Sequence, residues 1–140
     1  NAVTYSEFET YIYSYIATNW NTALATPISE YKPREQEANV NNSMDISIGI
    51  EGGEETLGSF DGGTKNMNIQ SGTVNLMLKL NMLNGMARNL VIIEAARSLF
   101  NQKILNGYIK FRVSVKKDMG TIDGKLVKLI VCPFTVEIIE

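Results

Sequence analysis

Few side chains in this chain could do chemistry, and none sits beside the partner it would need. There is no histidine, so no imidazole base is available. A serine nucleophile would then have to use lysine, and Ser114 and Lys116 stand two apart in a strand-like run. Such a spacing is common by chance and lacks any supporting motif. Glu54 and Glu55 are a carboxylate pair, but they fall in a glycine-rich stretch that offers no fixed geometry. Asp118 and Asp123 flank a turn without the spacing of a calcium loop. Gly63-Thr64-Lys65 lacks the upstream glycines of a phosphate-binding loop. Cys132 is the only cysteine, which excludes an intrachain disulfide and a cysteine-built zinc site. The residues predict no enzyme, no metal and no cofactor.

The elements around these residues read as one α+β domain over residues 1–140. Apolar residues make up 44% of the chain, enough for a core at this length. Ser6-Glu7-Phe8-Glu9 reads as a capping box. Phe8, Tyr11, Ile12, Tyr15 and Ile16 then form one helical stripe. Pro27 opens a short extended stretch through Tyr31, and a polar loop runs from Lys32 to Asn42. Within it, Asn41-Asn42-Ser43 matches a glycosylation sequon in a chain with no sign of secretion. Met44, Ile46, Ile48 and Ile50 alternate with polar or small residues, as do Val74, Leu76, Leu78 and Leu80. Asn84-Gly85 ends the second run. A helix is expected from Ala87 to Leu105, with a buried stripe of Ile92, Ile93, Ala96, Leu99, Phe100 and Ile104 and a stop at Asn106-Gly107. A closing hairpin follows. Ile109, Phe111, Val113 and Val115 share one face, Asp118–Gly124 is the turn, and Leu126–Ile139 is the last strand, with a bulge or sheet edge at Pro133. The expected order is α-β-β-β-α-β-β: a mainly antiparallel sheet with two helices packed on one face and a long loop between the central strands.

That long loop, 51–68, is rich in glycine and acid. Leu57 and Phe60 are its large apolar residues, and they either dock on a partner or fold back on their own domain. The near-neutral total of −2 conceals a split. Residues 1–63 carry ten acids and two bases, a net −8, and residues 64–140 carry eleven bases and five acids, a net +6. Either folding mixes the two signs, or opposite faces of the subunit differ in sign and suit head-to-tail association. The candidate interface residues are Glu51, Glu54, Glu55, Leu57, Phe60 and Asp61 on the acidic side, and Arg112, Lys116, Lys117 and Lys125 on the basic hairpin. The basic residues have few aromatics among them, which disfavours a nucleic-acid groove. The apolar runs Leu90–Ile93 and Leu129–Phe134 are too short for a bilayer span, so no membrane partner is expected.

Three segments together resemble a known family. They are Gln70-Ser71-Gly72-Thr73-Val74-Asn75-Leu76-Met77-Leu78, then Asn84-Gly85-Met86-Ala87-Arg88, then Ile93-Glu94-Ala95-Ala96-Arg97-Ser98-Leu99-Phe100. This pattern, with the aromatic first helix ending at Trp20, Pro27-Ile28 and Tyr31, resembles the tail terminator proteins of tailed bacteriophages. The resemblance implies a virion protein assembled in the host cytoplasm. It implies a hexameric ring that caps the tail tube, ends its polymerisation and meets the head connector. The expected partners are further copies of the chain, the tail tube protein and the neck proteins, with DNA passing through the lumen without sequence-specific binding. The acidic glycine-rich loop and the basic last hairpin depart from the family pattern. A head-closure or tail-completion adaptor is the alternative within the neck, and a small ligand-binding module the alternative outside it.

Overall fold

A computed structural model describes residues 3–20, 28–30, 42–55 and 67–139, with the backbone alone at 28–30, 51–55, 67–68 and 139. The elements are α1 (Tyr5–Asn19), β1 (Ile28–Glu30), β2 (Ser43–Glu55), β3 (Met67–Asn81), a 3-10 turn (Met82–Asn84), α2 (Met86–Ser98), β4 (Ile104–Leu105), β5 (Ile109–Phe111), β6 (Val115–Ile122) and β7 (Lys125–Ile139). The fold is α+β with a mainly antiparallel sheet. The strands lie in the order β1-β2-β3-β7-β5-β4, with β6 also paired to β7. Only β1 runs parallel to its neighbour.

The β3–β7 ladder is the spine. It pairs fifteen residues of each strand in one unbroken register, from Met67 opposite Ile139 to Asn81 opposite Lys125. Alternation then sorts the side chains. Val74, Leu76, Leu78 and Leu80 on β3 are buried on one face with Ile130, Cys132, Phe134, Val136 and Ile138 on β7, and Met44 and Ile46 extend that face onto β2. The same buried cluster takes Phe8, Ile12 and Ile16 from α1 and Ile92, Ile93 and Ala96 from α2. Phe8 lies 5.0 Å from the Phe134 ring, and Phe134, Phe111 and Phe100 continue the aromatic line. Each such side chain contributes roughly 1.5–3 kcal/mol when fully buried.

Several local expectations change. The capping box forms at Thr4 and Glu7 rather than at Ser6 and Glu9: Thr4 Oγ1 accepts from the Glu7 amide, and Glu7 accepts from the Thr4 amide. Both tetrads fit the motif. The earlier one wins where Val3 is already tied to the sheet, its amide donating to the Glu137 carbonyl at 3.2 Å. The helix expected to reach Leu105 ends at Ser98. Leu99 and Phe100 stay buried, but Gln102 turns left-handed, and Ile104 is exposed in β4. Asn106-Gly107 is thus no helix stop. Both residues have positive φ, and Tyr108 donates to the Leu105 carbonyl, which makes a tight turn between β4 and β5. Asp123-Gly124 makes a second such turn, so β6 extends through Met119–Ile122 where a longer turn was expected.

Pro133 lies inside the sheet, not at its edge. β5 and β6 run end to end along β7, and Arg112–Ser114 interrupts them opposite Cys132 and Pro133. Three residues face two, so the bulge is in the neighbouring strands. The Pro133 carbonyl accepts from the Arg112 amide, which aims its hydrogen-less nitrogen at the same interruption. The extra residue also flips the faces. Ile109 and Phe111 are buried, whereas Val113 and Val115 are each 47% exposed, contrary to the single face expected for all four.

At Gly72 the β2 backbone leaves no room for a side chain on β3. A Cβ there would overlap the Gly49 carbonyl oxygen and meet Ile50 Cα at 3.0 Å. Backbone atoms cannot swing aside as a side-chain tip can. Gly72→Ala is expected to cost about 1–3 kcal/mol, read as a lowered urea midpoint. An unchanged midpoint would show that the two strands separate freely at this position.

Candidate functional site

The structure places the predicted acids and bases on opposite sides of the sheet. Glu51, Glu54 and Glu55, expected in a loop, belong to β2, whose pairing with β3 continues to Glu55 opposite Asn68. The strand persists because β3 begins at Met67 and offers a partner. A bulge between Glu51 and Gly53 absorbs the local glycines. Register sets Glu51 opposite Ser71, Glu54 opposite Ile69 and Glu55 opposite Asn68. Leu57, Phe60 and Asp61 lie outside the described residues, as does the sequon residue Asn41. On the far side, Lys116 and Lys117 are exposed on β6, Arg112 is exposed in the β5–β6 interruption, and Lys125 starts β7. Three strand spacings separate β2 from β6, about 14 Å at ~4.8 Å each. That exceeds ion-pair reach and the ~8 Å screening length of physiological salt.

Other charges are engaged locally. Lys128 pairs with Asp118 at 3.2 Å, and Lys79 with Asp45 at 3.8 Å. Asp118 also accepts from the Gly120 amide at 2.9 Å, inside the β6 bulge. That amide first, and Lys128 second, hold the Asp118 carboxyl below its usual pKa.

The helix-free face of the sheet carries uncharged side chains at its centre, beside the Asp45–Lys79 pair at the Met77 end. Across it run Ser71, Thr73, Asn75 and Met77 on β3, with Leu129, Val131, Pro133 and Thr135 opposite them on β7 and Ser47 on β2. None of these is charged, and no described helix contributes to this side of the buried cluster.

Two polar clusters are structural in character. Four asparagines knit the end of β3 to α2 and to the start of β2. Buried Asn42 accepts from the Asn81 amide and from Asn84 Nδ2, both at 2.9 Å. Buried Asn89 accepts from Asn84 Nδ2 at 3.2 Å and donates to the Asn81 carbonyl at 3.3 Å. Four of the chain's 14 asparagines therefore form a polar lock at a helix start that has no side-chain cap of its own. The second cluster is Ser114 with Cys132. The Cys132 thiol is pushed up to about 11, first by burial, with the Ser114 contact pulling slightly the other way. Ser114 Oγ has no well-aligned partner. Ser114 is buried while Lys116 is exposed, so the serine–lysine spacing does not become a solvent-facing catalytic pair.

Two features were missed in the sequence. One is the apolar rim of Met82, Leu83, Met86 and Leu90, all exposed around the β3–α2 junction. Its signal was the Met82-Leu83 pair, which breaks the strand alternation. The other is an open groove of about 440 Å³ lined by Val3, Ser6, Glu7, Thr10, Tyr11, Ser14 and Tyr108. Its single carboxylate, Glu7, is already held by Thr4. Among the described residues, no three His, Cys, Asp or Glu side chains gather as metal ligands, and no helix is long and apolar enough to cross a membrane. Comparison with protein families and with curated protein sequences finds no match.

Asn89→Ala would leave Asn84 Nδ2 and the Asn81 carbonyl short of a partner. A loss of about 1–3 kcal/mol is expected in denaturant unfolding, and a loss below ~0.5 kcal/mol would make the lock ornamental. For Asp118 the sign follows from its lowered folded pKa. Its contribution is present above the unfolded value near ~3.9 and is lost as pH falls through the folded value. A carboxyl NMR titration should give a midpoint below ~3.9, whereas a midpoint at or above that value contradicts the bulge contact.

Proposed function

We propose that this chain is a structural protein of a tailed-bacteriophage neck. It forms a ring of identical copies that caps the tail tube, ends tube polymerisation and joins the tail to the head connector. The observation that carries this reading is the sorting of charge around one sheet. An acidic strand lies on one side, a basic strand on the other, and a neutral face spans the centre. Subunits of this kind associate head to tail, because unlike edges attract and like edges repel. Head-to-tail contacts generate rings when the rotation closes.

The neutral face supports the same reading. A wall beside passing DNA must not hold phosphates, since each basic contact adds salt-dependent affinity. Ser71, Thr73, Asn75 and Thr135 form such a non-gripping surface. The resemblance of the Gln70–Leu78 strand, the Asn84-Gly85 turn and the Ile93–Phe100 helix to tail terminators supplies the tail-tube partner. No catalytic step is assigned to the chain.

Adding the protein to polymerising tail-tube subunits tests this function. Tubes should stop lengthening in proportion to the number of rings present. Tubes that elongate normally, while the protein binds head connectors, would favour the head-closure adaptor instead. A protein that binds neither overturns the neck assignment.

A further inference from the structure

Beyond the two- and three-residue end strands β4 and β1, two longer strand edges in this sheet have no partner among the described residues. β6 pairs with β7 on one side only, and all eight of its residues are exposed. At the other side of the sheet, β1 pairs with Met44, Asp45 and Ile46 of β2 and no further. From Ser47 to Glu55, the outer backbone edge of β2 has no described neighbour. Unpaired edges present a row of N–H and C=O groups that template pairing with another chain.

The two edges differ in what they admit. β6 carries Lys116 and Lys117, and Lys117 forms no ion pair among the described residues. A second β6 laid against the first would bring lysines of the two copies together on both faces of the sheet, which opposes a symmetric pairing. β2 carries Glu51, Glu54 and Glu55, so it also repels its own kind. An acidic strand against a basic one is the combination both edges favour.

Strand direction gives the same answer independently. β2 is antiparallel to β3, β3 to β7, and β7 to β6. β2 and β7 therefore point one way, and β3 and β6 the other. A second copy added in the same orientation brings its β2 antiparallel to the first copy's β6, the pairing that strands form without a crossover. Antiparallel addition also sets the Lys116–Lys117 end of β6 against the Glu51–Glu55 end of β2, beyond the stretch that β1 covers.

We propose that β6 of one copy pairs with the Ser47–Glu55 edge of β2 in the next, so that one antiparallel sheet continues across subunits. The partner is a second copy of this chain. The contact uses two different surfaces, so each copy gives one and receives one. This names the contact for the self-assembly proposed above and rests on that reading.

A charge swap tests it by native mass spectrometry. The double variant Lys116→Glu/Lys117→Glu should lose multimers, lowering association at least tenfold. So should Glu51→Lys/Glu54→Lys. Mixing the two variants should recover assembly as alternating multimers, because the two acidic edges of one meet the two basic edges of the other. Combining all four substitutions in one chain restores an acidic edge facing a basic one and should recover assembly. Circular dichroism of each variant checks that the fold persists. Multimers that survive both double variants overturn the edge pairing while leaving a ring intact. A wild-type chain that stays monomeric at every concentration overturns the ring and the pairing together. Loss of assembly in both doubles without recovery in the quadruple variant also overturns the pairing.

Discussion

The structure depends on the unbroken ladder between β3 and β7. Fifteen aligned pairs fix which side chains point at the helices and which point away. A slip of one residue would exchange Val74, Leu76, Leu78 and Leu80 for Thr73, Asn75, Met77 and Lys79, moving a charge and an amide into the core. Everything else is hung on that register. β2 joins one side through the Gly72 approach, β5 and β6 join the other across Pro133, and the helices cover the apolar face. The neutral face and the two charged edges are by-products of the same alternation.

Two devices let the ladder run its full length. Gly72 removes the Cβ that would collide with β2, so a third strand can lie close without bending the central pair. Pro133 would ordinarily break an inner strand, because it cannot donate to a neighbour. Here its nitrogen faces the one place where the neighbouring strand is interrupted. The interruption in turn shifts the phase of the chain, which exposes Val113 and Val115 and frees β6 to stand out from the sheet. An exposed basic edge is thus a consequence of where a proline can be tolerated.

Much of this was legible in the residues. The apolar stripes of Phe8–Ile16 and Val74–Leu80 identified the core faces, because strong periodicity reports burial directly. The Asn106-Gly107 and Asp123-Gly124 pairs marked the turns, although the first was read as a helix stop because Ile104 continued the helical spacing. The acidic segment was harder. Glycines at 52 and 53 argue for a loop, and only the presence of β3 residues opposite them turns Glu51–Glu55 into strand. The asparagine lock was invisible for a related reason: Asn42 and Asn89 are far apart in sequence and meet only once β2, β3 and α2 are assembled. Of the site, the charge split was readable as a sum over each half. Its placement on two opposite edges needed the strand order.

The proposed assembly makes the subunit a polar building block, with unlike edges and an uncharged central face between them. Its most direct test is the symmetry of the assembled particle. Electron microscopy of purified assemblies should show closed rings with rotational symmetry and a single kind of subunit contact, repeated around the circle. Particles built on a two-fold axis, with the same surface of each copy meeting itself, would contradict it.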